Sequence, residues 1–238
     1  MDNVDLDACK EKNIAAFNVS DYCTPSVSQH VFALILALST KLIPYQTMTR
    51  NGEWSRSEHF SSLKYPIQEL DGKTLGLVGY GSRAKGVEKL ALAFGMKVLI
   101  TQRAGSTTAQ DGRLLLNDLL PLVDVLSIHC PLTPDTQHLI NSDTLARMKP
   151  SALLINTARG AVVDNAALAQ ALRDNIIAGA GIDVLEQEPP PVDHPLLASD
   201  IPNLILTPHV AWAAIEALQR VVDKVAKNLK HWLNTQTT

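Results

Sequence analysis

The 238-residue chain has no long hydrophobic run: its longest apolar stretch covers residues 31–38, far below the ~20 residues that cross a bilayer as a helix. It opens on the charged sequence MDNVDLDACKEK, which has no apolar core of a secretory leader, so neither an anchor nor a signal peptide is expected. Cysteine is scarce. Cys9, Cys23 and Cys130 are odd in number and spaced for neither a disulfide framework nor a zinc site, so no metal is expected and the cytoplasm is the expected compartment. A basic patch is missing too: 21 Lys and Arg are scattered against 24 Asp and Glu, for a net charge of −3. Nothing there matches a nucleic-acid backbone as partner. Internal repeats and low-complexity segments are absent.

What remains is ordinary globular material. Hydrophobic residues make up 46% and charged residues 19%, with mean hydropathy +0.04, which excludes disordered and collagen-like chains. At ~150 residues per domain the length allows one to two domains.

Six runs rich in Val, Ile and Leu recur at residues 74–78, 97–101, 123–128, 152–156, 179–184 and 203–207. They lack apolar/polar alternation and so predict parallel strands buried on both faces. Residues 82–94 and 165–173 carry apolar side chains at helical spacing between them. Strand and helix in alternation predict an α/β, doubly wound parallel sheet. Before it, Thr24-Pro25 predicts an N-cap and a first-turn proline for a long apolar helix over residues 27–42, packed on the nucleotide domain or on a partner subunit. Residues 52–65 predict an irregular surface excursion, and residues 14–18 a possible strand with no sheet of its own. Residues 213–233 predict an amphipathic helix, followed by a polar tail, 234–238, that frays.

The strongest local signal is Gly79-Tyr80-Gly81-Ser82-Arg83-Ala84 between a predicted strand and a predicted helix. It matches the dinucleotide fingerprint: Gly79 for the tight turn, Gly81 for close backbone approach to a pyrophosphate, and Ala84 for close helix–strand packing. The pyrophosphate would sit on the free N–H groups at the helix start, those of Ser82 and Arg83 among them, where the macrodipole favours negative charge. An acid is expected at the end of the second strand to hold the ribose hydroxyls of NAD. The chain has Thr101-Gln102-Arg103 there, with no carboxylate before Asp111. Gln102 does not repel a 2′-phosphate and Arg103 can pair with one, so NADP is at least as well suited as NAD. As the alternative, Arg103 is a solvated surface residue.

Three further segments each follow the carboxyl end of a predicted strand, where ligands of open α/β sheets bind. They contain Asn156-Thr157-Ala158-Arg159-Gly160, then Asp183 with Glu186 and Glu188 before three prolines, then Thr207-Pro208-His209-Val210-Ala211-Trp212. An arginine, a carboxylate and a histidine are what reduction of a 2-oxo acid needs: a fork for the carboxylate, a proton donor for the nascent alkoxide, and an anion that keeps the donor charged. Singly, each has an ordinary explanation: Arg159 as a surface charge, His209 as a hydrogen-bonded structural histidine, Glu186 and Glu188 as a solvated turn. Their joint placement at strand ends is the argument. Cys130 also follows a strand, where a cysteine is usually packing rather than a nucleophile.

Together with His129-Cys130-Pro131-Leu132-Thr133 and Met148-Lys149-Pro150, these motifs resemble the D-isomer-specific 2-hydroxyacid dehydrogenase family, and the resemblance covers about residues 3–216. It implies a Rossmann-like nucleotide-binding domain with a remnant of a second, smaller substrate domain. Arg159 then binds and polarises the substrate, Glu188 rather than Glu186 pairs with the imidazole, and His209 is the general acid/base. Asp183 holds the nicotinamide carboxamide, and Cys130, Pro131, Thr136 and Thr157 line the cofactor, with His129, Ala158, Arg159, His209 and Ala211 among its neighbours. Trp212 in His-x-Ala-Trp resembles the glycerate/hydroxypyruvate reductase branch, and Glu188, where formate dehydrogenases carry glutamine, argues against that relative. The implied activity is hydride transfer between NAD(P)H and a small 2-oxo acid such as glyoxylate or hydroxypyruvate, and the implied assembly is a homodimer.

The chain departs from the family pattern in three places. Arg83 stands where Ile or Leu is usual, and Gln102 replaces the acid. Asp2-Asn3-Val4-Asp5 resembles the segment just after the family's substrate-carboxylate loop, so an N-terminally shortened member is expected. The expected division is a remnant of the substrate domain at 1–23, a dinucleotide-binding domain at 24–211, and a C-terminal helix at 212–238 packing back toward the substrate domain. Shortening is expected to weaken turnover more than cofactor binding. The alternative is an NAD(P)-binding interaction or sensing module, as in the family's corepressor relatives, or an impaired fragment.

Overall fold

The computed structural model describes residues 4–110 and 112–236. The expectations that involve Asp2, Asn3, Asp111, Thr237 and Thr238 lie outside the described residues. Six strands are present: β1 (Thr74–Val78), β2 (Lys97–Ile100), β3 (Val125–Ile128), β4 (Leu153–Asn156), β5 (Gly179–Ile182) and β6 (Leu204–Leu206). They form one parallel sheet in the order β2-β1-β3-β4-β5-β6. Every residue of β3, β4 and β5 is buried, which explains why these runs show no alternation.

The helices are α1 (Leu6–Glu11), α2 (Thr24–Ser39), α3 (Leu42–Arg50), α4 (Ser82–Ala93), α5 (Leu116–Leu119), α6 (Ser142–Leu145), α7 (Asn165–Arg173) and α8 (Ile215–Gln236). α2 and α4 cover one face, where Val31, Ile35, Val87 and Ala91 pack with Leu75, Leu77 and Ile155. The short α5 and α6 together with α7 cover the other, with Leu119, Leu145, Leu168 and Leu172 in one cluster with Leu126, Ile128, Leu154 and Ile182. The chain leaves β1 for β2 on one side and returns across it to β3 on the other. This reversal opens a crevice at the carboxyl ends of β1 and β3, the place where such sheets bind ligands.

Several local expectations are corrected. Thr24 is not the cap of α2: Cys23 holds that position, no side chain caps the helix, and Thr24 and Pro25 lie in its first turn. The Thr24 hydroxyl is buried without a partner among the described residues, while its carbonyl accepts the Ser28 hydroxyl at 2.8 Å. The predicted helix over 27–42 stops at Ser39: the Thr40 N–H still makes the helical bond to the Leu36 carbonyl, which its hydroxyl shares, but Lys41 adopts φ 54° and turns the chain out of the helix. Leu42 therefore starts α3. No single helix among the described residues is long and apolar enough to cross a membrane, and α2 and α3 meet that test only as a pair bent by 61°. Residues 14–18 join no strand and are mostly exposed; the Asn18 carbonyl accepts from Asn228 of α8 instead. Arg220 and Lys224 of α8 likewise donate to the Tyr22 and Ser20 carbonyls at 2.7 and 2.6 Å. α8 continues through Gln236, past the predicted end at residue 233 and into the polar tail. Residues 52–65 form an irregular excursion containing one short turn of helix, Trp54–Arg56.

Candidate active site

Gly79 follows β1 with φ 86°, a backbone region open mainly to glycine. A side chain there would also lie 2.8 Å from the Cys130 backbone nitrogen, so the same residue lets the ends of β1 and β3 close together. Gly81 differs. It precedes α4 in ordinary extended backbone (φ −89°, ψ −168°), and a Cβ there would meet nothing within 4 Å. No protein contact requires its small size. No side chain caps α4, leaving first-turn N–H groups open to an anion. The Ser82 hydroxyl donates to Asp21, so its proton is already used and its backbone N–H is what it offers. Ala84 is fully buried against the sheet.

Three connected hollows run along the crevice. The first, about 840 Å³, is lined by Gly79, Gln102, Arg103, Cys130, Pro131 and Thr136 among others. Cys130 and Pro131 continue into the second, about 490 Å³, which adds Arg83, His129, Thr157, Ala158 and Arg159. Arg83, Thr157 and Arg159 continue into the third, about 150 Å³, with Tyr22, Asp183, His209, Ala211 and Trp212. Gly81, Ser82 and Glu188 line none of the three hollows; the other residues predicted from the sequence follow one groove from the end of β2 to the end of β6.

Two buried polar atoms on this groove have no partner among the described residues: Gln102 Oε1 and Thr157 Oγ1. Buried polar atoms are rarely left so. With the open space at Gly81 and the uncapped start of α4, they fit a dinucleotide laid along the groove. Arg103 is exposed at its rim. Thr136 Oγ1 is engaged within its own turn, donating to the Pro131 carbonyl at 2.8 Å. Burial pushes the Cys130 thiol up to about 11, which makes it a packing group rather than a thiolate nucleophile. Burial, with the Arg83 charge adding to it, pushes His129 down to about 3; its Nε2 meets Ser127 Oγ at 2.9 Å.

At the far end, Asn156 closes β4 and shapes the next turn, donating to the Arg159 carbonyl at 2.9 Å and accepting from the Ala158 N–H at 3.0 Å. Arg159 Nη1 donates to the Ala158 carbonyl at 2.8 Å. Gly160 is packed so closely that a Cβ would stand 1.9 Å from the Leu185 carbonyl carbon. That contact presses the arginine turn against the loop carrying the two glutamates. Glu188 Oε2 meets His209 Nδ1 at 2.7 Å, with the side chains 36% and 39% exposed, and Glu188 Oε1 accepts from the Leu185 N–H at 2.9 Å. Glu186 turns elsewhere, to His138 Nε2 at 3.0 Å.

Asp183 is buried, and its carboxylate accepts from Thr207 Oγ1 at 2.5 Å and from the Val210 and Ala211 N–H groups at 2.9 Å each. It clamps the loop that bears His209. Sequence reasoning did not find Tyr22, which lines the third hollow from outside the sheet. Burial raises its phenol above the ordinary value, against the Arg83 and Arg159 charges. Nor did it find Arg113, which returns to the first hollow through the bridge between Thr101 and Leu114; no spacing rule signals that return. Among the described residues no group of His, Cys, Asp or Glu could hold a metal ion.

Comparison with known proteins adds the following. Residues 32–211 match the family model described as D-isomer specific 2-hydroxyacid dehydrogenase, NAD binding domain. The chain is 46% identical to a glycerate dehydrogenase of Methylorubrum extorquens over 96% of its own length and 72% of that protein. It resembles the structure of an NADPH-dependent glyoxylate/hydroxypyruvate reductase of Sinorhizobium meliloti in complex with NADP and malonate. The TM-score is 0.81 and the identity 33%, over 99% of this chain and 72% of the other. A D-lactate dehydrogenase of Aquifex aeolicus complexed with NAD and lactic acid gives TM-score 0.83 at 33% identity, covering 99% and 74%.

Proposed function

Since the chain belongs to the D-isomer specific 2-hydroxyacid dehydrogenase family, we propose that Arg159, Glu188 and His209 carry an NAD(P)-dependent interconversion of a small 2-oxo acid and its D-2-hydroxy acid. The protein is an oxidoreductase using NAD or NADP, and hydroxypyruvate and glyoxylate are the substrates that its relatives' names favour. The supporting observation is the 2.7 Å contact between Glu188 and His209 beside a hollow that Arg159 also lines.

When bound, the reduced dinucleotide supplies the hydride that reaches the carbonyl carbon. Arg159 holds the substrate carboxylate through charge-assisted hydrogen bonds and offsets charge developing on the oxygen. Glu188 is an acceptor, so Nδ1 of His209 carries a proton toward it, and Nε2 is the nitrogen left to exchange one. Protonated Nε2 gives its proton to the carbonyl oxygen, which becomes the hydroxyl, and His209 is left neutral with Nδ1–H still on Glu188. In the reverse direction Nε2 is the base.

The groove residues divide the cofactor between them. Gly79, Gly81, Ser82 and Arg83 face the pyrophosphate, and Gln102 and Arg103 face the adenosine ribose. His129, Cys130, Pro131, Thr136, Thr157 and Ala158 wall the channel, and Asp183, His209 and Ala211 surround the nicotinamide. Without an acid at position 102, NADP is accepted at least as well as NAD. Residues 24–211 act as the dinucleotide-binding unit, 1–23 belong with the substrate side, and the C-terminal unit, 212–238, reaches toward it through Arg220, Lys224 and Asn228. A homodimer is supported by the apolar side chains that residues 42–67 leave exposed, Phe60 at 94% and Leu63 at 91% among them, rather than by α2, which the core absorbs. Three free thiols agree with a reducing, cytoplasmic setting. Oxidation of NADPH and NADH, followed at 340 nm with glyoxylate and with hydroxypyruvate, tests the activity: dinucleotide binding without turnover of either acid would reject it.

A further inference from the structure

α2 lies outside the catalytic groups described above, yet it grips the His209 loop at two points. Ser26 and His30, one helical turn apart, share a face of α2. Ser26 Oγ donates to the Ala211 carbonyl at 2.6 Å. His30 Nε2 lies 3.1 Å from Thr207 Oγ1 and 3.5 Å from Asp183 Oδ1. Between these two anchors His209 takes φ 54°, a left-handed conformation that a side-chain-bearing residue keeps only when its surroundings hold it. Its N–H donates to the Asp183 and Thr207 carbonyls at 2.8 and 3.0 Å.

The hydrogen-bond inventory decides which way the relay runs. The Thr207 hydroxyl has one proton, and at 2.5 Å from Asp183 Oδ1 that proton goes to the carboxylate, which also accepts the Val210 and Ala211 N–H groups. Thr207 Oγ1 therefore accepts from His30, and Nε2 of His30 must carry a proton. We propose that His30 is a positioning residue for the acid/base His209: its Nε2–H closes a relay through Thr207 to Asp183 that holds residues 207–211 in the turn presenting His209 to the substrate hollow. This rests on reading His209 as the acid/base. Removing the donor leaves Thr207 free to rotate off Asp183 and lets the left-handed turn relax, and small misplacement of a catalytic group is costly.

Long-range ¹H–¹⁵N spectra of the ¹⁵N-labelled protein without cofactor report the His30 tautomer directly. A protonated Nε2 at neutral pH is expected; a neutral ring with its proton on Nδ1 overturns the proposal, whatever any variant does. In steady-state assays with NADPH and hydroxypyruvate, His30→Leu is expected to lower kcat on the order of tenfold to a hundredfold. KM for the acid and Kd for NADPH should stay within about threefold. His30→Gln, whose amide can donate from near the Nε2 position, is expected to recover most of the lost kcat. Unchanged kcat in His30→Leu, or equal loss in both variants, also overturns it. His209→Asn, assayed in parallel, separates the two readings: if it retains turnover the acid/base assignment falls, and if it alone abolishes turnover only the His30 relay falls.

Discussion

The two glycines of the phosphate turn are small for different reasons, and the difference can be measured. Gly79 is required by its own fold, through φ 86° and the Cys130 backbone, whereas Gly81 has ordinary backbone angles and open space around it. Gly81→Ala should therefore cost less than about 1 kcal/mol of stability, the modest loss expected at a helix cap. It should weaken NADPH binding by about tenfold or more, because the Cβ occupies the pyrophosphate's approach. Urea unfolding and fluorescence titration of NADPH read the two effects separately. At the other end of the groove, His209→Asn is expected to reduce kcat by roughly 10²- to 10⁴-fold, the range for a general acid/base. Glu188→Gln should cost less, since it leaves the imidazole in place and removes only its anionic partner. Kd for NADPH should change little in both. His129 offers a pH test. Its ring takes up a proton only near pH 3 when folded, against ~6.5 when unfolded, so the stability it contributes is present above ~6.5 and is lost as pH falls toward about 3. The ring edge reaches a hollow, which lets solvent moderate the penalty. Between pH 7 and 5 the wild type should lose roughly 1 to 2 kcal/mol more than His129→Gln, as read from denaturant midpoints at the two pH values.

At the level of elements, the site depends on one backbone contact between loops that follow different strands. Gly160 lies under the Leu185 carbonyl, and a Cβ there would stand 1.9 Å from that carbon and 2.4 Å from the Glu186 nitrogen. Backbone cannot yield as a flexible side chain can, so Gly160→Ala must move the Arg159 turn away from the glutamate loop. The expected result is a fall in kcat/KM for the 2-oxo acid on the order of 100-fold, with NADPH Kd much less affected. Parallel kinetics and titration would check this; equal damage to both would mean a general loss of fold. The strands were legible in the sequence because β3, β4 and β5 are buried on both faces and must be continuously apolar. α7 was legible because its apolar positions repeat at helical spacing. The end of α2 was not. Its apolar pattern runs on to Leu42, while the break is made by the left-handed Lys41, which is neither a glycine nor a proline. Residues 14–18 have strand-like composition, but no strand edge lies beside them among the described residues, and the Asn18 carbonyl accepts from Asn228 of α8. Likewise Arg159, Glu188 and His209 were findable one by one at strand ends. The Gly160–Leu185 approach and the grip of α2 on Thr207 join residues far apart in sequence and left no local signal.

For the whole molecule, ligand binding and stability are the same free energy seen twice. The groove connects turns from β1, β2, β3, β4, β5 and β6, and two of its buried polar atoms, on Gln102 and Thr157, have no partner among the described residues. A dinucleotide that satisfies them binds the folded chain and not the unfolded one. At 100 times its Kd it should add about 2.7 kcal/mol, which for a chain of this size raises Tm by roughly 5 to 11 °C. Differential scanning fluorimetry with increasing NADPH should show that rise in the wild type, and little of it in Gly81→Ala at the same concentration. His209→Asn should retain it, because its side chain acts on the substrate at the far end of the groove. A rise that survives Gly81→Ala unchanged would place the dinucleotide somewhere other than the glycine turn. If His209→Asn alone loses it, most of the binding free energy would come from the reacting end rather than from the pyrophosphate and adenosine walls.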